Sequence, residues 1–354
     1  MSDREHTIHP EELEDFVRET QADDLLYVMG DDEGAAGLCP YITFYVRHAA
    51  ERATPLAQDM VALCRAFAAL ATPSFRLVRE DDGRGWRTCR GGRLPARVDT
   101  AARRAIRQGR GYLLEATDKA LGCDSARWAI ALHVDLDPTR YSYLKLTFRQ
   151  HWYLRNRETW QGFVREAIAR LQPEQCYSGF EIGNGGFALP LPRWHRMLER
   201  ACATRLLGMD IDHPARMAEH GLRQSDGSIR PVGLGSGLRP PTWCFLLSPH
   251  WLACLDRRPQ EVAAALAHPE IAIDTIPYAS GGDTSGQVAL WIRLGQLDAY
   301  PADGPPPLLP GLAARLLRPL LLSGPELFLS KAGGSLNATE ATRWLHRFDT
   351  YGEG

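Results

Sequence analysis

A chain of 354 residues with 44% apolar side chains and a formal net charge of −2 has the composition of an ordinary globular protein and is not a disordered one. Its length allows a large core, arranged as about two domains or one elaborate one. The polar, acidic start MSDREHTIHPEELEDF has no apolar core of a signal peptide, and the apolar stretch Leu312–Leu322 is broken by Arg315, Arg318 and Pro319, short of the ~20 residues that span a bilayer, so the expected location is the cytoplasm with no membrane partner.

In chain order, Glu11–Thr20 reads as a short helix opened by Pro10. Tyr41–Val46 (YITFYV), dense in β-branched and aromatic residues, is a strand. Pro55–Ala71 repeats apolar residues at helical spacing and is closed by Pro73. Phe75–Glu80 and Trp86–Cys89 flank DDGRG, an Asp-Gly hairpin signal, and Val98–Leu114 reads as a helix. Trp128–Leu136 and Tyr143–Phe148 read as paired strands, and Thr159–Leu171 as a helix stopped by Pro173. Beyond it, Gly179, Gly183, Gly185 and Gly186 form a glycine knot, read as a structural turn or a close backbone approach, before a helix at Arg193–Leu207.

Pro214–Gly221 is a shorter amphipathic piece, and Arg223–Pro241 a long loop rich in Gly, Ser and Pro. Thr242–Leu247 is a buried strand, Pro249–Leu255 and Gln260–Ala267 are helices, and Ile271–Ile276 and Val288–Leu294 are strands around YASGGDTSG. Leu312–Leu322 and Glu340–Phe348 close the chain as helices. Strands cluster without regular βαβ alternation, so the expected class is α+β: antiparallel sheets flanked by helices, in two α/β halves, 1–172 and 173–354, packed together.

Charge is unevenly placed. Twelve acids against Arg4 and Arg18 give residues 3–33 a local charge of −10, and eleven arginines against Glu80, Asp81, Asp82 and Asp99 give Arg76–Arg110 a charge of +7. The arginine run could hold nucleic acid, but no aromatic interleaving accompanies it, and solvated or internally paired arginines are the plainer reading. The acids Glu11, Glu12, Glu14, Asp15, Asp31, Asp32 and Glu33 either pair with that run or face a partner.

Candidate chemistry is sparse. The glycine knot has the spacing of neither a dinucleotide fingerprint nor a Walker loop. Asp210, Asp212 and His213 form the best acid–base or metal cluster. With His220 seven residues on, however, the imidazoles lie too far apart to share an ion, and the favoured reading makes Asp212 the cap of the helix begun by Pro214. Gly235-Ser236-Gly237 lacks the strand and helix of a nucleophile elbow. Asp283 is read as satisfying its own loop backbone, and Trp243, Trp251 and Trp291 as core. The eight cysteines contain no C-x2-C and read as buried free thiols. No catalytic, cofactor or metal residue is therefore expected.

The segments CYSGFEIGNGG (Cys176–Gly186), RLLGMDID (Arg205–Asp212), GLRPPTWCFLLSPHWLACL (Gly237–Leu255) and ASGGDTSGQVALWIRLGQLDAY (Ala279–Tyr300) together resemble the TsiV-like immunity proteins of type VI secretion systems, over roughly residues 125–325. The match includes a Trp-x-x-Leu strand at Trp243–Leu246, a Leu-rich helix at His250–Leu255 and a turn at Gly282-Asp283; Arg257-Arg258-Pro259 departs from the more apolar helix end of that family. The resemblance implies a non-enzymatic protein that binds and neutralises a cognate effector toxin, often a nuclease, with no cofactor and no direct nucleic-acid contact; a homodimer is compatible with it. The competing expectations are an enzyme whose site assembles Asp210, Asp212 and Asp283, and a nucleic-acid binder using Arg76–Arg110.

Overall fold

The structure is a computed structural model that describes residues 9–22, 27–29, 34–72, 75–81, 85–121, 125–183, 193–278, 286–305, 307–322 and 335–349. Its elements run α1 (Pro10–Ala22), β1 (Tyr27–Met29), β2 (Gly34–Ala36), β3 (Leu38–Val46), α2 (Ala53–Ala71), β4 (Leu77–Glu80), β5 (Arg87–Thr88), α3 (Val98–Arg107), β6 (Tyr112–Thr117), β7 (Ala129–Val134), β8 (Ser142–Thr147), α4 (Gln150–Arg155), α5 (Arg157–Leu171) and β9 (Gln175–Ile182). They continue α6 (Arg193–Arg205), α7 (Pro214–Met217), β10 (Gly221–Arg223), β11 (Ile229–Pro231), β12 (Cys244–Leu247), α8 (Pro249–Leu255), α9 (Pro259–Ala265), β13 (Ile271–Tyr278), β14 (Gln287–Leu294), α10 (Leu308–Leu317) and α11 (Ala338–Leu345).

Ten strands form one antiparallel sheet in the order β13-β14-β12-β9-β3-β8-β7-β6-β4-β5. The class is α+β. The boundary expected at 172/173 falls between α5 and β9, and the sheet runs across it, because β9 pairs with β3 over Leu38–Tyr45. β3 is buried along all nine residues, which explains its nearly unbroken apolar sequence. Pro40 is tolerated in this central strand because the β8 ladder ends there: Phe148 N donates to Pro40 O at 3.0 Å, and only the reciprocal bond is missing.

The two faces of the sheet centre differ. Ile42 and Phe44 of β3, with Leu144, Leu146 and Phe148 beside them, belong to an apolar core that includes Phe67 of α2 and Trp160, Phe163 and Val164 of α5; Phe148 and Trp160 sit with ring centroids 4.1 Å apart. The alternate residues Tyr41, Thr43 and Tyr45 face the other way, and the strand register sets Lys145 of β8 beside Thr43 and Gly179 of β9 beside Tyr41. The chain from Met209 to Thr242 covers this second face.

Several sequence expectations change here. The helix read over Val98–Leu114 ends at Arg107, and β6 follows; Gly109, at φ +67°, makes the turn between them. Gly179 lies inside β9 and not in a turn, and neither it nor Gly183 has a positive φ. Their role is close approach: a Cβ on Gly179 would lie 2.5 Å from Thr242 Oγ1, and one on Gly183 2.8 Å from the Ala126 carbonyl oxygen. Gly185 and Gly186 lie outside the described residues. The amphipathic piece Pro214–Gly221 is helical only to Met217, and the loop Arg223–Pro241 contains β11, paired with β10.

Candidate functional site

Three carboxylates and three cations meet on the covered face of β3. Asp210 Oδ2 accepts from Tyr41 Oη and Thr242 Oγ1, both at 2.8 Å, and its Oδ1 accepts from Arg347 Nη2 at 3.1 Å. Asp212 Oδ1 accepts from Thr43 Oγ1 and Tyr45 Oη at 3.1 Å and lies 3.5 Å from Lys145 Nζ, while its Oδ2 pairs with Arg239 Nη2 at 2.9 Å. Lys145 Nζ also donates to Glu181 Oε2 and to the Asp212 carbonyl. Arg239 reaches Ile211 O and Tyr41 Oη, each at 3.0 Å, with its guanidinium 4.2 Å from the Tyr177 ring centroid. Arg347 bonds Leu207 O and stacks 4.0 Å from Trp344, which ties α11 to the same centre.

This cluster is closed to solvent: Asp212 is 0% exposed, Arg239 1% and Asp210 3%. Burial would raise the Asp212 carboxyl, but Lys145 and Arg239 outweigh it and hold the group below its ordinary value. Glu181 goes the other way, because burial prevails over Lys145 and pushes it up to about 8. Burial lowers Arg347 to about 10 against the pull of Asp210. The structure thus brings Asp210 and Asp212 together as anchors of internal charge. Asp212 does not cap α7, whose N-terminal neighbour is His213 with no side-chain capping bond. Asp283 lies outside the described residues.

A second cluster joins α6 to the segment before α11. Glu199, buried, accepts from Ser335 Oγ and pairs with His213 Nε2 at 3.0 Å, so that despite burial its carboxyl is lowered to about 2; burial lowers the neighbouring His195 to about 4. His220, which the sequence placed two turns from His213, instead packs its ring 4.5 Å from Tyr141. Ser142 and His48 show serine–imidazole geometry, 2.8 Å between Oγ and Nε2, yet Ser142 is fully buried and its oxygen already accepts from Asp135 N at 3.0 Å, so it presents no face to a substrate. Among the described residues, no three of His, Cys, Asp and Glu gather as metal ligands. No described helix is long and apolar enough to cross a membrane. Six of the eight cysteines are buried thiols outside any disulfide, Cys254 is exposed, and Cys123 lies outside the described residues.

The surface acids are partly placed. α1 turns Leu13, Phe16 and Thr20 inward and leaves Glu11, Glu12 and Glu14 exposed, with Asp15 paired to Arg18. Asp31, Asp32 and Glu33 lie outside the described residues. Among the described residues no ion pair joins α1 to Arg76–Arg110. Arg87 and Arg97 pair with Glu80 at 2.7 and 2.9 Å, and Arg79 pairs with Glu115, while Arg103, Arg104, Arg107 and Arg110 are exposed. A cleft of about 560 Å³ opens between α4–α5 and the turn before β13, walled by Arg157, Glu158, Glu270 and Arg293.

Lys145, Glu181, Arg239 and Arg347 escaped the sequence reading. One signal was present: Lys145, among the chain's three lysines, stands between Leu144 and Leu146 in an apolar strand, where a charge needs a buried partner.

No protein-family model and no curated protein matches the sequence. Among solved structures, the fold is similar to that of the Pseudomonas aeruginosa T6SS protein PA0821, with a TM-score of 0.65 and 19% identity, covering 92% of this chain and 86% of that chain. At that identity the likeness is one of fold.

Proposed function

We propose that this protein is an immunity protein of the TsiV-like kind, which binds a cognate type VI secretion effector in the cytoplasm and neutralises it by covering its active or substrate site. The observation that carries the reading is the likeness in fold, over 92% of the chain, to a protein named as a T6SS protein. The internal chemistry agrees with it: Asp210 and Asp212, two of the three carboxylates an enzymatic reading requires, are spent on buried partners. The exposed acids of α1 favour a nuclease as the effector, because nucleases hold phosphate in positively charged clefts and an inhibitor gains encounter rate by presenting acids to them.

The test is co-expression with the toxin encoded beside this chain's gene. Growth should be restored and the two chains should elute as one complex; toxicity unrelieved and no complex would defeat the reading. Within that complex, replacing Glu11, Glu12 and Glu14 by glutamine should slow association and flatten its salt dependence while leaving the melting temperature unchanged. An unchanged association rate would move the interface away from α1.

A further inference from the structure

β13 is the outermost strand of the sheet, and its backbone polarity can be assigned residue by residue. Gly295 N donates to Glu270 O at 3.0 Å and Leu294 N to Trp243 O at 2.7 Å, so along β14 the odd-numbered residues bond toward β13 and the even-numbered ones toward β12. With Ala272 opposite Arg293 and Asp274 opposite Trp291, the even residues of β13 bond to β14. The N–H and C=O groups of Ile273 and Thr275, and the C=O of Ile271, therefore point away from the sheet; Ile271 N is already used by His268 O. Among the described residues no strand lies beyond them. Pro277 removes the next outward donor, which guards one end of the edge and leaves 271–275 open.

We propose that this edge binds an extended segment of another polypeptide, which adds an antiparallel strand along Ile271–Thr275. A row of outward amides and carbonyls is satisfied by a backbone of the same spacing. The side chains specify which one. Ile271 and Ile273 are partly buried against the core on one face, so residues of the incoming strand opposite Ile273 and Thr275 are apolar. On the other face, where Ile276 is buried and Arg165 forms an ion pair with Asp274 at 4.0 Å, the Asp274 side chain is still 41% exposed, so the residue opposite it is basic. A second copy of this chain fits worse: the register that pairs Ile273 with Thr275 sets Asp274 against Asp274 and Pro277 against Ile271, opposing like charges and losing a donor.

The proposal stands independently of the effector reading, and its probe is a capped eight-residue peptide of alternating valine and lysine titrated into the full chain. The backbone amides of Ile273 and Thr275 should shift in nuclear magnetic resonance spectra and exchange more slowly with solvent. Thr275→Pro, which removes only an outward donor, should weaken binding about ten-fold, whereas Thr275→Ala should not. Asp274→Lys should transfer the preference to the peptide carrying glutamate in place of lysine, and this holds even if the proline variant folds poorly. Absence of any response at those two amides at the highest soluble peptide concentration, or equal affinity of Asp274→Lys for both peptides, overturns the proposal. A concentration-dependent dimer abolished by Thr275→Pro would assign the edge to a second copy and overturn it equally.

Discussion

Asp212→Ala removes the anion shared by Lys145, 3.5 Å away, and Arg239, 2.9 Å away, in a site with no access to solvent. The two cations cannot recover water without opening the sheet face, so the loss is of the size found when one partner of a buried ion pair is deleted, about 3–5 kcal/mol. Asp210 compensates little, since its oxygens are engaged by Tyr41, Thr242 and Arg347. Urea unfolding at neutral pH measures the cost. Adding Arg239→Met to Asp212→Ala should cost less than the two single changes together, by about 1–3 kcal/mol, because the second removes a cation that the first has already orphaned. The pH dependence has a definite sign. Asp212 is held below its ordinary value of 3.8, so its contribution is present above that pH and disappears as pH falls through the lower folded-state value; the gap between wild type and variant should close in acid. A single-variant cost under about 1 kcal/mol, or strict additivity in the double variant, would show that the cluster is not a coupled charge network.

Gly179→Ala should cost about 1–3 kcal/mol, since its Cβ would meet Thr242 Oγ1 at 2.5 Å and Asp210 Oδ2 at 2.8 Å, both fixed by hydrogen bonds; Gly162→Ala in α5, with nothing within 4 Å, should instead stabilise by up to ~1 kcal/mol in the same unfolding assay. Glu181, raised to about 8, contributes stability that is complete below its ordinary value of 4.5 and is lost as pH rises through about 8, so Glu181→Gln should flatten the fall in unfolding free energy between those limits. Parallel curves for wild type and Glu181→Gln would place the titration elsewhere.

The sequence reading and the structure agree where one local signal dominates. The β3 run YITFYV, the paired β7 and β8, the antiparallel pairing of β4 with β5, and helices α2, α5, α6 and α8 all lie within a few residues of their expected positions. The disagreements arise where a residue serves a distant neighbour. Gly179 reads as part of a turn or of a close approach, and the close approach is what it makes: it continues β9 because Asp210 and Thr242 need the space beside Tyr41. Asp212 before His213-Pro214 satisfies the local rule for a helix cap, and the pull of Lys145 and Arg239, residues 67 and 27 positions away, overrides it. Arg239 reads as part of a polar loop because nothing nearby shows that its guanidinium lies under the sheet. Such pairings are set by strand register, and register across the β3–β9 junction has no short-range code.

The buried charge cluster also constrains the order in which the molecule can be assembled. Its members come from positions 41 to 347, so no early portion of the chain holds all of it. A ribosome-bound fragment containing β3, β8 and β9 carries Lys145 and Glu181 on a bare sheet face, and gains Asp212, Arg239 and Arg347 only as each later segment emerges. Closure of the widest of these loops, from Tyr41 through Asp210 to Arg347, comes last. Every strand of the sheet precedes α11 in the chain, so what the last segment adds is Arg347, the cation that completes the partners of Asp210 beside Tyr41 and Thr242.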